Sequence, residues 1–131
     1  MRELMDDAAR RALRYLESLP DRAVRPDPDA VARLPLLDVA LPAHGIAPEA
    51  VLAQLDEAIG PATMAMAGPR FFGFVIGGTL PATLAANWLA AAWDQNAGLH
   101  ASSPGVAQLE SVALRWLVEL FRSRDKRPGT W

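Results

Sequence analysis

The amino-acid sequence predicts a mainly α-helical fold, with four helices joined by a proline-rich extended arm and one glycine-punctuated apolar loop. Three observations carry that expectation. Apolar residues recur at three- and four-residue spacing in four separate segments. Two of those segments follow a hydroxyl residue with proline close behind, Thr79 before Pro81 and Ser103 before Pro104. Pro20, Pro26, Pro28, Pro35, Pro42 and Pro48 crowd one stretch, and each removes a backbone donor there. No sheet of four or more strands is expected.

The first helix spans residues 2–19. Met5, Ala9, Ala12, Leu13, Leu16 and Leu19 form its stripe, and Asp6–Arg10 and Asp7–Arg11 are acid-before-base pairs at i,i+4. Pro20 ends it. The arm that follows carries Val31, Leu34, Leu36, Leu37, Val39 and Leu41, apolar teeth suited to lying on another surface. Together, helix and arm make an N-terminal contact segment over residues 1–47. Residues 48–59 form a second helix, with Pro48 at its first position and Gly60-Pro61 after it. Phe71 to Ile76 reads as a short strand or an ordered extended loop, broken at Gly77-Gly78. The third helix, near residues 80–97, is apolar nearly all round, as a buried helix is, with Thr79 as its cap. The fourth covers residues 104–121, so a helical segment with a 69–79 loop spans 48–121. Residues 122–131 form an aperiodic tail.

Composition excludes several classes. The chain has 131 residues, a formal charge of −2 and no cysteine. No basic excess points to nucleic acid, and no thiolate chemistry or disulfide is available. Two separated histidines, His44 and His100, argue against a His-rich metal site. No signal-peptide pattern is present and no apolar run is long enough for a bilayer, so a cytoplasmic chain is expected. Twelve of the thirteen basic residues are arginine, and Lys126 is the sole lysine.

Chemistry-bearing motifs are few. The nucleophile elbow, the phosphate-binding loop and the dinucleotide fingerprint are all missing. Gly77-Gly78-Thr79 reads as a tight turn in preference to an anion cradle. His100 near Ser102 and Ser103 has no fixed acid partner, so Ser103 is assigned as a helix cap. Glu110 falls in an apolar arc, where an ion pair with Arg70 or Arg115 is expected in preference to a catalytic role. Phe71-Phe72-Gly73-Phe74 reads as core, with a concave apolar pocket as the alternative.

One ordered set of motifs is more specific. It comprises Pro69-Arg70-Phe71-Phe72-Gly73-Phe74, Thr79-Leu80-Pro81-Ala82-Thr83-Leu84-Ala85-Ala86-Asn87-Trp88-Leu89, Trp93-Asp94-Gln95-Asn96, Ser103-Pro104 and Glu110. In this order they resemble the N-terminal region of the pyridoxal-phosphate-dependent group II decarboxylases, a family that includes aromatic-L-amino-acid, glutamate, histidine and tyrosine decarboxylases. The resemblance runs from about Met5 to Phe121.

The resemblance implies a fold-type-I homodimer in which this segment packs across the partner subunit through its first helix and arm. It implies that Phe74, Val75 and Ile76 face an amino-acid substrate, and that Asn96, Gly98 and His100 approach the partner's active site. Many relatives carry an aromatic residue and a proline where this chain has Val75 and Ile76, so an aromatic substrate does not follow. The family's cofactor lysine lies further along the chain, and Lys126 in Arg124-Asp125-Lys126-Arg127 does not resemble its His-Lys motif. The expectation is therefore a decarboxylase N-terminal fragment, truncated or frame-shifted near Phe121. It would have no catalytic residue, metal or bound pyridoxal phosphate of its own. Two other readings stay open: a stand-alone helical module that binds a full-length relative, and a small anion-binding protein using the Gly77-Gly78-Thr79 turn.

Overall fold

A computed structural model describes residues 1–96 and 98–124. Lys126 and most of the 122–131 tail lie outside the described residues. The chain divides into two units, one running Met1–Thr79 and the other beginning at Leu80. Helix dominates, and no strand occurs among the described residues.

The first unit holds α1 (Arg2–Ser18), α2 (Pro28–Arg33), a 3-10 turn (Leu34–Leu37), α3 (Pro48–Ile59) and a second 3-10 turn (Gly60–Ala62). Helix α2 corrects the expectation of an extended arm. Proline bars a helix interior, but it fits the first turn, where the missing N–H has no intrahelical role. Asp27 supplies the cap: its Oδ1 accepts from Asp29 N at 2.9 Å, and Pro28 follows as the first helical residue. Of the remaining arm residues, Leu34 is half-buried and Leu36, Val39 and Leu41 are largely exposed.

Polar links between segments distant in sequence hold this unit together. Asp56 Oδ2 on α3 accepts from Arg11 Nη1 and Arg14 Nη2 on α1, both at 2.9 Å. Tyr15 Oη lies 2.9 Å from Thr63 Oγ1 and 3.2 Å from Met64 O. Asp27 N donates to Pro61 O at 3.0 Å and Ala65 N to Val24 O at 3.0 Å. Arg70 Nη2 donates to Arg22 O at 2.7 Å. Leu19, Ala30, Ala65 and Phe71 are the buried apolar residues beneath these links. Gly68 permits a close approach here, because a Cβ would meet Ala65 O at 3.1 Å and Leu19 O at 3.4 Å. On α1, Arg10 turns to Asp7 (3.2 Å) instead of Asp6, and Arg11 Nε reaches Asp7 at 2.8 Å. These contacts hold the Asp7 carboxyl below its ordinary range, chiefly through the hydrogen bond from Arg11. The same bond is the main cause that raises Arg11 further.

The second unit contains α4 (Pro81–Trp93) and α5 (Pro104–Arg124). Helix α4 ends earlier than the expected 80–97. Asp94 adopts φ 49°, a left-handed conformation that an aspartate tolerates better than most residues, and its N–H closes on Ala90 O at 3.1 Å. Leu80, with no side-chain bond, stands in the cap position where Thr79 was expected. A buried α4 is also corrected. Trp88, Leu89 and Trp93 are 40%, 52% and 52% exposed, because no second apolar surface covers them among the described residues. Helix α5 runs past the expected end at Phe121, and Leu109, Trp116, Leu117 and Leu120 are likewise exposed.

Candidate functional site

Phe74, Val75 and Ile76 sit together on one turn of the first unit. Ile76 N donates to Gly73 O at 3.1 Å, closing the turn across Phe74 and Val75. Both central residues have positive φ, 56° and 57°, the sign pattern of a type I′ turn that ordinarily takes Asn-Gly. The predicted strand or extended loop is therefore a tight, strained turn. The strain is real for Val75, whose branched Cβ crowds the left-handed region. Beneath the turn, Phe71 is buried and its ring centroid lies 6.3 Å from that of Phe74. Gly73 lets that ring lie close, since a Cβ would sit 3.2 Å from Phe71 Cζ and the ring would have to shift by a few tenths of an ångström. The motif thus divides its aromatics. Phe71 anchors, while Phe72 and Phe74 project into solvent at 92% and 75% exposure.

Asn96, Gly98 and His100 belong to a separate turn in the second unit. Asn96 Oδ1 accepts from Gly98 N at 2.9 Å. The Ser103 hydroxyl donates to Asn96 O and to Leu99 O, the latter at 3.2 Å, and Ser102 Oγ donates to Leu99 O at 3.1 Å. Ser103 is buried, while Asn96, Gly98 and His100 are exposed. These bonds answer the Ser/His question. Both hydroxyls are spent on backbone carbonyls and neither is oriented toward His100. They also revise the cap assignment. Ser103 O accepts from Ala107 N at 3.0 Å, as a cap carbonyl does, but its side chain faces the loop instead of the helix amides. The ion pair expected at Glu110 does not form with Arg115: Glu110 is exposed, because the arc it lies in is exposed.

The structure keeps the six sequence-predicted site residues in two local groups, one in each unit. Phe74, Val75 and Ile76 offer an apolar, outward surface; Asn96, Gly98 and His100 offer a polar turn with an exposed imidazole. Among the described residues, no group of three His, Asp or Glu side chains is placed to hold a metal. No helix among them is long and apolar enough to cross a membrane. Pyridoxal phosphate requires an amine for its Schiff base. The described residues do not fit that group, since none of them is a lysine.

The sequence reading missed an open cleft in the first unit, lined by Arg11, Arg14, Arg22 and Arg25 together with Tyr15 and Asp56. The residues come from α1, the turn after it and α3, so no sequence window shows them together. The excess of arginine over lysine was the one signal that could have directed attention to it. No protein-family model matches the chain, and no curated protein or solved structure matches it.

Proposed function

We propose that the chain acts as the N-terminal segment of a pyridoxal-phosphate-dependent amino-acid decarboxylase, supplying subunit contacts and part of the substrate-pocket wall. The intact enzyme would remove an amino acid's α-carboxylate as carbon dioxide, with the cofactor as electron sink. This chain's own residues would bind and exclude water. Phe74, Val75 and Ile76 would form an apolar wall, and Asn96, Gly98 and His100 a polar edge. No catalytic step is assigned to it. A homodimeric assembly and a cytoplasmic location go with the reading.

The observation that supports it best is the outward turn at Phe74-Val75. A positive-φ conformation at two non-glycine residues costs about 1–2 kcal/mol each. Such a conformation persisting at an apolar, exposed tip suits a surface that another body completes. The exposed faces of α4 and α5 support the same idea.

The test is complementation. The chain is mixed with a group II decarboxylase whose own N-terminal segment has been removed, and carbon dioxide release from L-amino acids is measured. Restored release, lost again with Phe74→Ser, is expected. Absence of both association and activity would overturn the reading. Co-migration with an intact relative, without any gain in activity, would favour the stand-alone interaction module.

A further inference from the structure

The arginine cleft of the first unit has a volume of about 630 Å³ and is bordered by α1, the turn leading to α2 and the Gly60-Pro61 turn. Four arginines line it against two aspartates, Asp27 and Asp56. The aspartates are already engaged. Asp56 Oδ2 is shared by Arg11 and Arg14, and Asp27 Oδ1 caps α2. Asp7, outside the lining, takes a second edge of Arg11.

Two of the four cations are fixed in place. Arg11 is clamped between Asp7 and Asp56. Arg22 Nη2 donates to Gly60 O at 3.0 Å, and its guanidinium lies 4.6 Å from the centroid of the Tyr15 ring. The other two retain donors. Arg14 gives one nitrogen to Asp56 and is 63% exposed. Arg25 lines the cleft with no hydrogen bond or ion pair among the described residues. Each guanidinium offers five N–H donors in a planar fork that matches two oxygens of a phosphate. A carboxylate has two oxygens, and Asp56 meets Arg11 and Arg14 through Oδ2 alone, which leaves the Arg14 fork incompletely used. A phosphate monoester has three oxygens and about −1.5 to −2 charge, enough to engage both forks at once.

We propose that this cleft is a binding site for the phosphate group of a small ligand, gripped by Arg14 and Arg25 and bordered by the pre-positioned Arg11 and Arg22. The proposal is independent of the decarboxylase reading, because it uses neither the Phe74 turn nor the Asn96–His100 turn. Asp56 acts as an internal competitor that occupies part of the Arg14 fork until an external anion arrives.

The test is calorimetric titration of the full chain at low salt with inorganic phosphate, phosphoserine and glutarate, the last being a dianion without a phosphate group. Saturable binding of phosphate with Kd of about 1 mM or tighter is expected. The double variant Arg14→Gln/Arg25→Gln should weaken it at least ~10-fold while circular dichroism stays unchanged, since Arg11 still ties α1 to Asp56. Asp56→Asn should move the affinity the other way, tightening it by ~3-fold or more, which a merely loosened fold cannot do. Phosphoserine binding tighter than inorganic phosphate would assign an organic monoester; equal binding would assign free phosphate. The proposal is overturned by any of three results: no saturable heat up to about 10 mM, equal affinity for glutarate, or an arginine double variant that binds like the parent.

Discussion

The two units solve the same problem by different means. In the first, Met1–Thr79, segments far apart in sequence are tied by charged and polar links: Arg11 and Arg14 to Asp56, Tyr15 to Thr63, Arg70 to Arg22. Leu19, Ala30, Ala65 and Phe71 are buried under them. In the second, the described side-chain hydrogen bonds reach no further than from Ser103 back to Asn96. Its richly apolar helices leave Trp88, Leu89, Trp93, Trp116 and Leu117 exposed. Apolar content alone therefore does not make a core. Burial needs a facing surface, and each large side chain without one forgoes roughly 1.5–3 kcal/mol.

The largest expected effect breaks this contrast at the second unit. Several exposed side chains together rival the whole stability margin of ~5–15 kcal/mol typical of a domain. The chain should therefore dimerise, aggregate or lack a sharp melting transition, and Leu89→Lys with Leu117→Lys should shift it toward monomer in sedimentation. A compact parent monomer over a wide concentration range, with a sharp transition, would defeat this expectation.

Next comes paired truncation. Phe71→Ala should cost about 3 kcal/mol in denaturant unfolding, by loss of a buried ring. Leu109→Ala on α5, 61% exposed, should stay within about 0.5 kcal/mol. Equal costs would erase the distinction between the units. Tyr15→Phe removes the hydroxyl that bridges toward Thr63 and Met64, and it should cost about 1 kcal/mol in the same measurement.

A smaller effect has the opposite sign. Val75 is fully exposed at φ 57°, so Val75→Gly loses no contact and relieves strain. After the added chain entropy of glycine is counted, a net gain of about 0.5 kcal/mol is expected in thermal unfolding. A loss instead would mean that the turn is held by something the valine touches.

The smallest effect is on pH. Asp7 has a lowered folded-state pKa, chiefly through Arg11, so its contribution is present above the ordinary carboxylate value of about 4 and fades as pH falls through the lower folded value. Asp7→Asn should remove that part of the acid sensitivity while leaving melting at neutral pH only slightly changed. An identical acid limb in parent and variant would assign the sensitivity elsewhere.

Four helices were legible because their cause is local. Apolar spacing marks α1, α3, α4 and α5, and a proline near the start of the last three agrees with it. Helix α2 was missed because six prolines were counted as breakers, although Asp27-Pro28-Asp29 is itself a start signal. The Phe71–Phe74 motif was visible, but not its division into one anchoring ring and outward neighbours, which depends on Phe74 and Val75 taking positive φ.

What the sequence determined by itself is helix, its periodic faces and most of its ends, since each follows from residues within a turn or two of one another. Tertiary structure alone decided which faces are covered and which charges meet. Arg14 and Asp56 are forty-two residues apart, and only the placement of α1 beside α3 makes them partners. Asp94 shows the same division at short range. Asp94-Gln95-Asn96 holds no glycine or proline, so helix is expected to run on toward Gly98, yet it stops at Trp93 because Asp94 takes a left-handed φ of 49°, a choice that its own sequence window does not dictate.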